Sequence, residues 1–69
     1  MKLKRLLKKK EYKQYTTIEI IDVPNHWDIT TDISVFHTKP IEKYFKQCLK
    51  RKVDAVYTDD DKKLTIKIY

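Results

Sequence analysis

The chain has 69 residues with one cysteine and no glycine, and 16 Lys and Arg against 10 Asp and Glu give it a formal charge of +6. A chain this short makes one domain and buries only about 60% of the surface its unfolded form exposes, which argues against an enclosed active site. A single cysteine excludes an internal disulfide and a cysteine-built zinc cage, and it fits a reducing compartment, for which the cytoplasm is the default.

The charge is local. Lys2, Lys4, Arg5, Lys8, Lys9, Lys10 and Lys13 stand against Glu11 alone, and these seven bases and one acid account for the whole +6. Leu3, Leu6 and Leu7 fall at i, i+3, i+4 in the same segment, which predicts a short amphipathic helix ending near Lys10, held only by a narrow apolar stripe. Residues 1–13 thus read as a basic helix and tail beside a sheet-and-helix core over 15–69, within one domain. The longest apolar run in the chain is three residues, so neither a secretion signal nor a membrane span is expected.

Tyr15 to Val23 is rich in β-branched residues, with Ile18 and Ile20 on one face and Glu19 and Ile21 on the other, which predicts a strand. Pro24-Asn25 breaks it. A loop through His26 and Trp27 then leads into a second predicted strand, Ile29 to His37, with Ile29, Ile33 and Val35 inward. Pro40 suits a first helical turn, and Ile41, Tyr44, Phe45, Cys48 and Leu49 form one apolar stripe behind it. Lys39, Lys43, Lys46 and Lys50 lie opposite that stripe at about 100° per residue. Val53 to Thr58 and Leu64 to Tyr69 read as two further strands, with Val53, Ala55 and Tyr57 alternating in the first and Asp59-Asp60-Asp61-Lys62 as the turn. The expected fold is α+β in the order α-β-β-α-β-β, with both helices packed on one face of an antiparallel sheet.

The missing glycine excludes much chemistry. A P-loop, a dinucleotide fingerprint, a nucleophile elbow, an EF-hand loop and the KH and RRM motifs all need glycine where backbone approaches a ligand or turns with positive φ. Cys48 sits mid-stripe and reads as a packed core residue. His26 and His37 have no metal-ligand spacing around them, and the three aspartates lack the alternation of a calcium loop. No catalytic residue, metal or cofactor is expected, and the chain reads as a binding protein rather than an enzyme.

Three surfaces remain. The amino-terminal bases, with Lys43, Lys46 and Lys50 of the second helix, are candidates for nucleic acid or an acidic partner, since phosphate neutralisation releases counterions. Tyr12 and Tyr15 stand beside them for stacking on bases, and a solvated lysine face is the competing account. His26 and Trp27 are candidates for a protein interface, with Trp27 alternatively a lid over one end of the core. The open sheet face is expected to carry Thr17, Glu19, Asp32, Ser34, Thr65, Lys67 and Tyr69. A membrane-surface role needs more apolar area than three leucines supply.

Fourteen Lys against two Arg, with one Ala, is the usage of A+T-rich codons and points to a low-GC bacterium or its phage. Two stretches carry a resemblance. One is Met1-Lys2-Leu3-Lys4-Arg5-Leu6-Leu7 followed by Thr17-Ile18-Glu19-Ile20-Ile21-Asp22. The other is Val53-Asp54-Ala55-Val56-Tyr57-Thr58-Asp59-Asp60-Asp61 followed by Lys63-Leu64-Thr65-Ile66-Lys67-Ile68. They resemble the ends of short, functionally uncharacterised proteins encoded by phages and mobile elements of Firmicutes, in which a glycine usually follows the first strand; here Pro24-Asn25 stands instead. The resemblance covers about half the chain. It implies a mobile-element setting and carries over no functional residue. The expected function is docking onto a host or phage protein, for instance to inhibit a defence nucleoprotein such as a CRISPR effector, with nucleic-acid binding as the alternative and the oligomeric state left open.

Overall fold

Two hairpins share one sheet in the computed structural model, which describes residues 1–37 and 42–69. The elements are α1 (Leu3–Leu7), β1 (Thr17–Asp22), β2 (Trp27–Asp32), α2 (Lys43–Leu49), β3 (Val53–Tyr57) and β4 (Lys63–Ile68), with 3₁₀ turns at Lys10–Tyr12 and Ile33–Phe36. The strand order is β2-β1-β4-β3. β1 pairs antiparallel with β2, and β4 antiparallel with β3, while the two central strands β1 and β4 run parallel. The sheet is therefore mixed, which corrects the antiparallel expectation.

Burial explains that arrangement. Ile18 and Ile20 of β1, and Leu64, Ile66 and Ile68 of β4, are all fully buried. Each such side chain contributes roughly 1.5–3 kcal/mol when removed from water, so the two strands that present these residues take the centre. β2, which carries Asp28, Thr30 and Asp32, takes an edge, where a polar strand guards against further pairing. Leu3, Leu6 and Leu7 of α1, Phe45 and Cys48 of α2, Phe36 and Tyr15 complete the same core. Phe36 and Phe45 meet edge to face at 5.2 Å.

Several local expectations change. α1 stops at Leu7, short of Lys10. The second strand stops at Asp32, because the Asp32 carboxylate accepts a hydrogen bond from the Ser34 backbone N–H at 2.9 Å and starts a 3₁₀ turn. Ile33, Val35 and Ser34 therefore lie in that turn rather than on a strand. In β3 a register shift between Val53 and Ala55 breaks the alternation. Val53 and Val56 pair with buried Ile68 and Ile66, whereas Ala55 and Tyr57 pair with Lys67 and Thr65 on the open face. That face carries Thr17, Glu19, Ile21, Thr65 and Lys67 from the centre of the sheet; Ser34 is in the turn, and Tyr69 lies past the end of β4. The readings placed on Lys39, Pro40 and Ile41 lie outside the described residues.

α1 is also held by more than leucines. Lys2 bridges Lys52 across an antiparallel contact. Leu3 N–H donates to the Arg51 carbonyl at 2.9 Å, and Val53 N–H donates to the Met1 carbonyl at 2.8 Å. The basic segment is thus built into the start of β3 and is not a detachable appendage.

Candidate nucleic-acid interface

The leucines of α1 face inward, so the outer side of this one-and-a-half-turn helix can present only its charged residues. Lys4 and Arg5 belong to the helix, Lys2 precedes it and Lys8 caps it. The bridge to β3 adds Lys52 from the far end of the chain. Together with Met1 these five cations line an open groove of about 440 Å³ that contains no acidic residue. All five are exposed. Among the described residues the ion pairs are Arg51 with Asp22 and Lys63 with Glu19, so no carboxylate forms an ion pair with a groove cation.

The other predicted basic residues fall elsewhere. Lys9 and Lys10 are exposed at the 3₁₀ turn, outside the groove. Lys13 lines a separate depression of about 310 Å³ with Tyr12, Tyr15, Ile33 and His37. Lys43, Lys46 and Lys50 are exposed on and just beyond α2 and do not line the groove. Tyr15 is only 9% exposed and Tyr12 packs half-buried against the core, so neither stands beside the groove for stacking. Lys52 is the groove residue that sequence reasoning missed. Nothing local signals it, because its place depends on a backbone bridge between residues 50 positions apart.

A second charged cluster closes the opposite use of the same chemistry. Asp22 ends β1 in phase with Ile18 and Ile20 and is buried with them. Arg51 donates to both of its carboxylate oxygens, at 2.9 and 3.1 Å, and donates through Nε to the Tyr69 carbonyl at 3.0 Å. Asn25 donates to Asp22 Oδ2 at 2.9 Å, and the Tyr44 hydroxyl reaches the same oxygen at 3.5 Å. The Arg51 hydrogen bond leads in holding the Asp22 carboxyl down at about 2; burial opposes it, and Asn25 assists. The same pair raises Arg51 above its ordinary value. Burial pushes the Tyr44 hydroxyl and the Cys48 thiol up, and Cys48 is only 1% exposed, as its place in the stripe predicts.

Trp27 opens β2 directly opposite Asp22 rather than sitting in the loop. Its ring meets Tyr44 edge to face at 4.4 Å, yet 39% of the residue is exposed. The ring covers Tyr44 and keeps an open outer side. His26, in the turn before it, is exposed and takes a positive φ of 51°. Both line a depression of about 340 Å³ that also touches Val23, Asp28 and Lys67. At the hairpin tip between β3 and β4, Asp60 accepts from the backbone N–H groups of Lys62 and Lys63, at 2.8 and 3.2 Å, and these bonds lower its carboxyl. The three aspartates form a turn. Among the described residues no group of His, Cys, Asp or Glu is placed to hold a metal ion, and no helix is long and apolar enough to cross a membrane.

No protein-family model, curated protein or solved structure matches this chain.

Proposed function

We propose that this chain is a small non-enzymatic binding protein that holds a nucleic acid through the basic groove of α1 and the start of β3. One observation carries the reading: five exposed cations from two distant segments converge on one groove with no acid among them. Unpaired charges held close together repel one another, and a polyanion relieves that repulsion while releasing its own counterions. The non-enzymatic part rests on the two groups best suited to chemistry. Cys48 is buried with its thiol pushed up, and Asp22 has both oxygens engaged by Arg51.

Both helices contribute buried residues to the core that includes Ile18, Ile20, Leu64, Ile66 and Ile68, which supports packing on one face of the sheet. The groove then lies at the β3 edge, where Lys2 bridges Lys52. The resemblance to phage and mobile-element proteins, and a cytoplasmic setting, belong to the same proposal.

The test is a binding titration of the intact chain and of a Lys4→Glu, Lys8→Glu variant against DNA and RNA. Reversal at these two positions is expected to weaken binding to every sequence. The slope of log affinity against log salt should become shallower by roughly 0.9 for each duplex phosphate that the variant no longer neutralises. An intact chain that binds neither DNA nor RNA at low salt defeats the reading.

A second reading, docking onto a host or phage protein, is favoured by the half-open Trp27 beside exposed Val23 and His26. Aromatic residues of this kind anchor protein interfaces. Its test is whether Trp27→Ala, in a chain that stays folded, loses a protein partner that the unaltered chain retains.

A further inference from the structure

We infer that the groove is built for the phosphate backbone of a nucleic-acid duplex, without base readout, and not for a single strand; the inference rests on the nucleic-acid reading above. Three features of the molecule carry it.

The first is charge density. α1 spans five residues, so Lys4 and Lys8 are separated by only about 6 Å along its axis. Lys2, Arg5 and Lys52 crowd the same groove. A duplex offers one phosphate charge for about every 1.7 Å of its axis, against about 3.4 Å for one of its strands. Five cations gathered this tightly can each meet a phosphate on a duplex, whereas a single strand would have to fold back on itself to supply as many.

The second is the lack of a stacking platform. Proteins that hold single strands combine a basic track with aromatic side chains on which bases stack. Here the groove is lined by Lys2, Lys4, Arg5, Lys8, Lys52 and Met1, with no aromatic residue. Tyr12 and Tyr15, the nearest in sequence, pack against or within the core.

The third is reach. Direct readout in the major groove requires an element that enters it and places side chains on base edges. α1 is pinned against the core by Leu3, Leu6 and Leu7 and against β3 by the bonds at Leu3 and Val53, leaving only its outer side free. What it offers is a set of flexible charged tips on a low surface, which meets phosphates first and carries no sequence preference.

The experiment titrates the intact chain, by anisotropy of a labelled oligonucleotide, against a DNA duplex, an RNA duplex and the single strands that make them, each in two unrelated sequences and over a range of salt. Counterion slopes of about −0.9 per phosphate on a duplex and −0.7 on a single strand would make a duplex roughly tenfold tighter at about 0.1 M salt even if the strand met all five cations, and a strand that supplies fewer phosphates should fall further behind. Affinity should be the same within about twofold for the two sequences. Preference for either duplex over its strands supports the inference, and the tighter of the two names the source. Single strands bound as tightly as duplexes, or a clear sequence preference, overturn it while leaving the nucleic-acid reading intact. No binding to any of the oligonucleotides defeats both. A Lys43→Glu, Lys46→Glu variant makes the same charge change outside the groove and serves as the control. It should lose much less duplex affinity than Lys4→Glu, Lys8→Glu, and an equal loss overturns the assignment to the groove.

Discussion

Two cationic regions of this molecule use the same residue types in opposite ways. At the end of the sheet, Arg51 is forked onto Asp22, whose carboxylate is buried and fully hydrogen-bonded. At the α1 groove, five cations face solvent with no acid among them. The first arrangement ties distant segments together: the β1–β2 turn through Asn25, the first turn of α2 through Tyr44, the segment between α2 and β3 through Arg51, and the last residue through the Tyr69 carbonyl. In the second, the side chains make no ion pair among the described residues, and in the proposed reading their charge meets another molecule. A charged residue's role in this fold is set by whether its partner is already inside the chain.

Removing the Asp22 carboxylate should cost the fold most. Asp22→Ala strands the Arg51 guanidinium without its partner, and breaking a buried pair from one side costs about 3–5 kcal/mol. Arg51 keeps some access to water, with 28% of its side chain exposed, so the lower end of that range is expected. Domains have roughly 0.05–0.15 kcal/mol of stability per residue, and about 3 kcal/mol is therefore a large part of what a chain of 69 residues holds. The urea midpoint should fall steeply. A midpoint unchanged within error would mean that the clamp contributes no stability.

The clamp was only partly legible in the sequence. Asp22 follows Ile18 and Ile20 at a spacing of two, so its inward phase was readable, and a carboxylate in that phase demands a buried cation. Which cation was not readable, because Arg51 lies 29 residues away across a helix. The same limit hid Lys52 from the basic groove and the parallel pairing of β1 with β4, since periodicity reports which face a residue takes but not which strand lies beside it. Faces were legible where one period held throughout: the leucines of α1, Ile18 and Ile20 of β1, and Leu64, Ile66 and Ile68 of β4 are all buried. Legibility failed where a local device interrupted the period. The Asp32 bond to Ser34 was outweighed in the sequence by β-branched Ile33 and Val35, and the irregularity at Val53 and Ala55 left no residue signature in a chain without glycine.

A smaller effect sharpens the contrast through pH. The Asp22 carboxyl titrates at about 2 in the folded chain against 3.8 ordinarily, so the unfolded chain binds this proton first as pH falls. Its contribution is fully present above about pH 5 and is lost progressively as pH drops through 3.8 toward 2, amounting to about 2 kcal/mol. Asp32 and Asp60 are lowered as well by backbone hydrogen bonds, so the intact chain alone does not isolate Asp22. Urea midpoints at about pH 7 and about pH 3 should differ more for the intact chain than for Asp22→Asn, and equal differences would remove Asp22 as the source.

The smallest expected change has the opposite sign. Lys4 of α1 and its C-cap Lys8 stand four apart, a spacing at which like charges destabilise a helix by about 0.2–0.5 kcal/mol, and Arg5 and Lys52 add to the repulsion in the groove. Lys4→Glu replaces that repulsion with an acid four residues ahead of Lys8, which is the favourable order for such a pair. Folding stability is therefore expected to rise by a few tenths of a kcal/mol, and the gain should shrink in high salt as the charges are screened. Duplex affinity should fall in the same variant. A surface that is better for folding when one cation is reversed, and worse for binding, is what a site kept for a partner would show. If Lys4→Glu instead lowers both the urea midpoint and the affinity, Lys4 is part of the scaffold and the groove loses its distinction from the clamp.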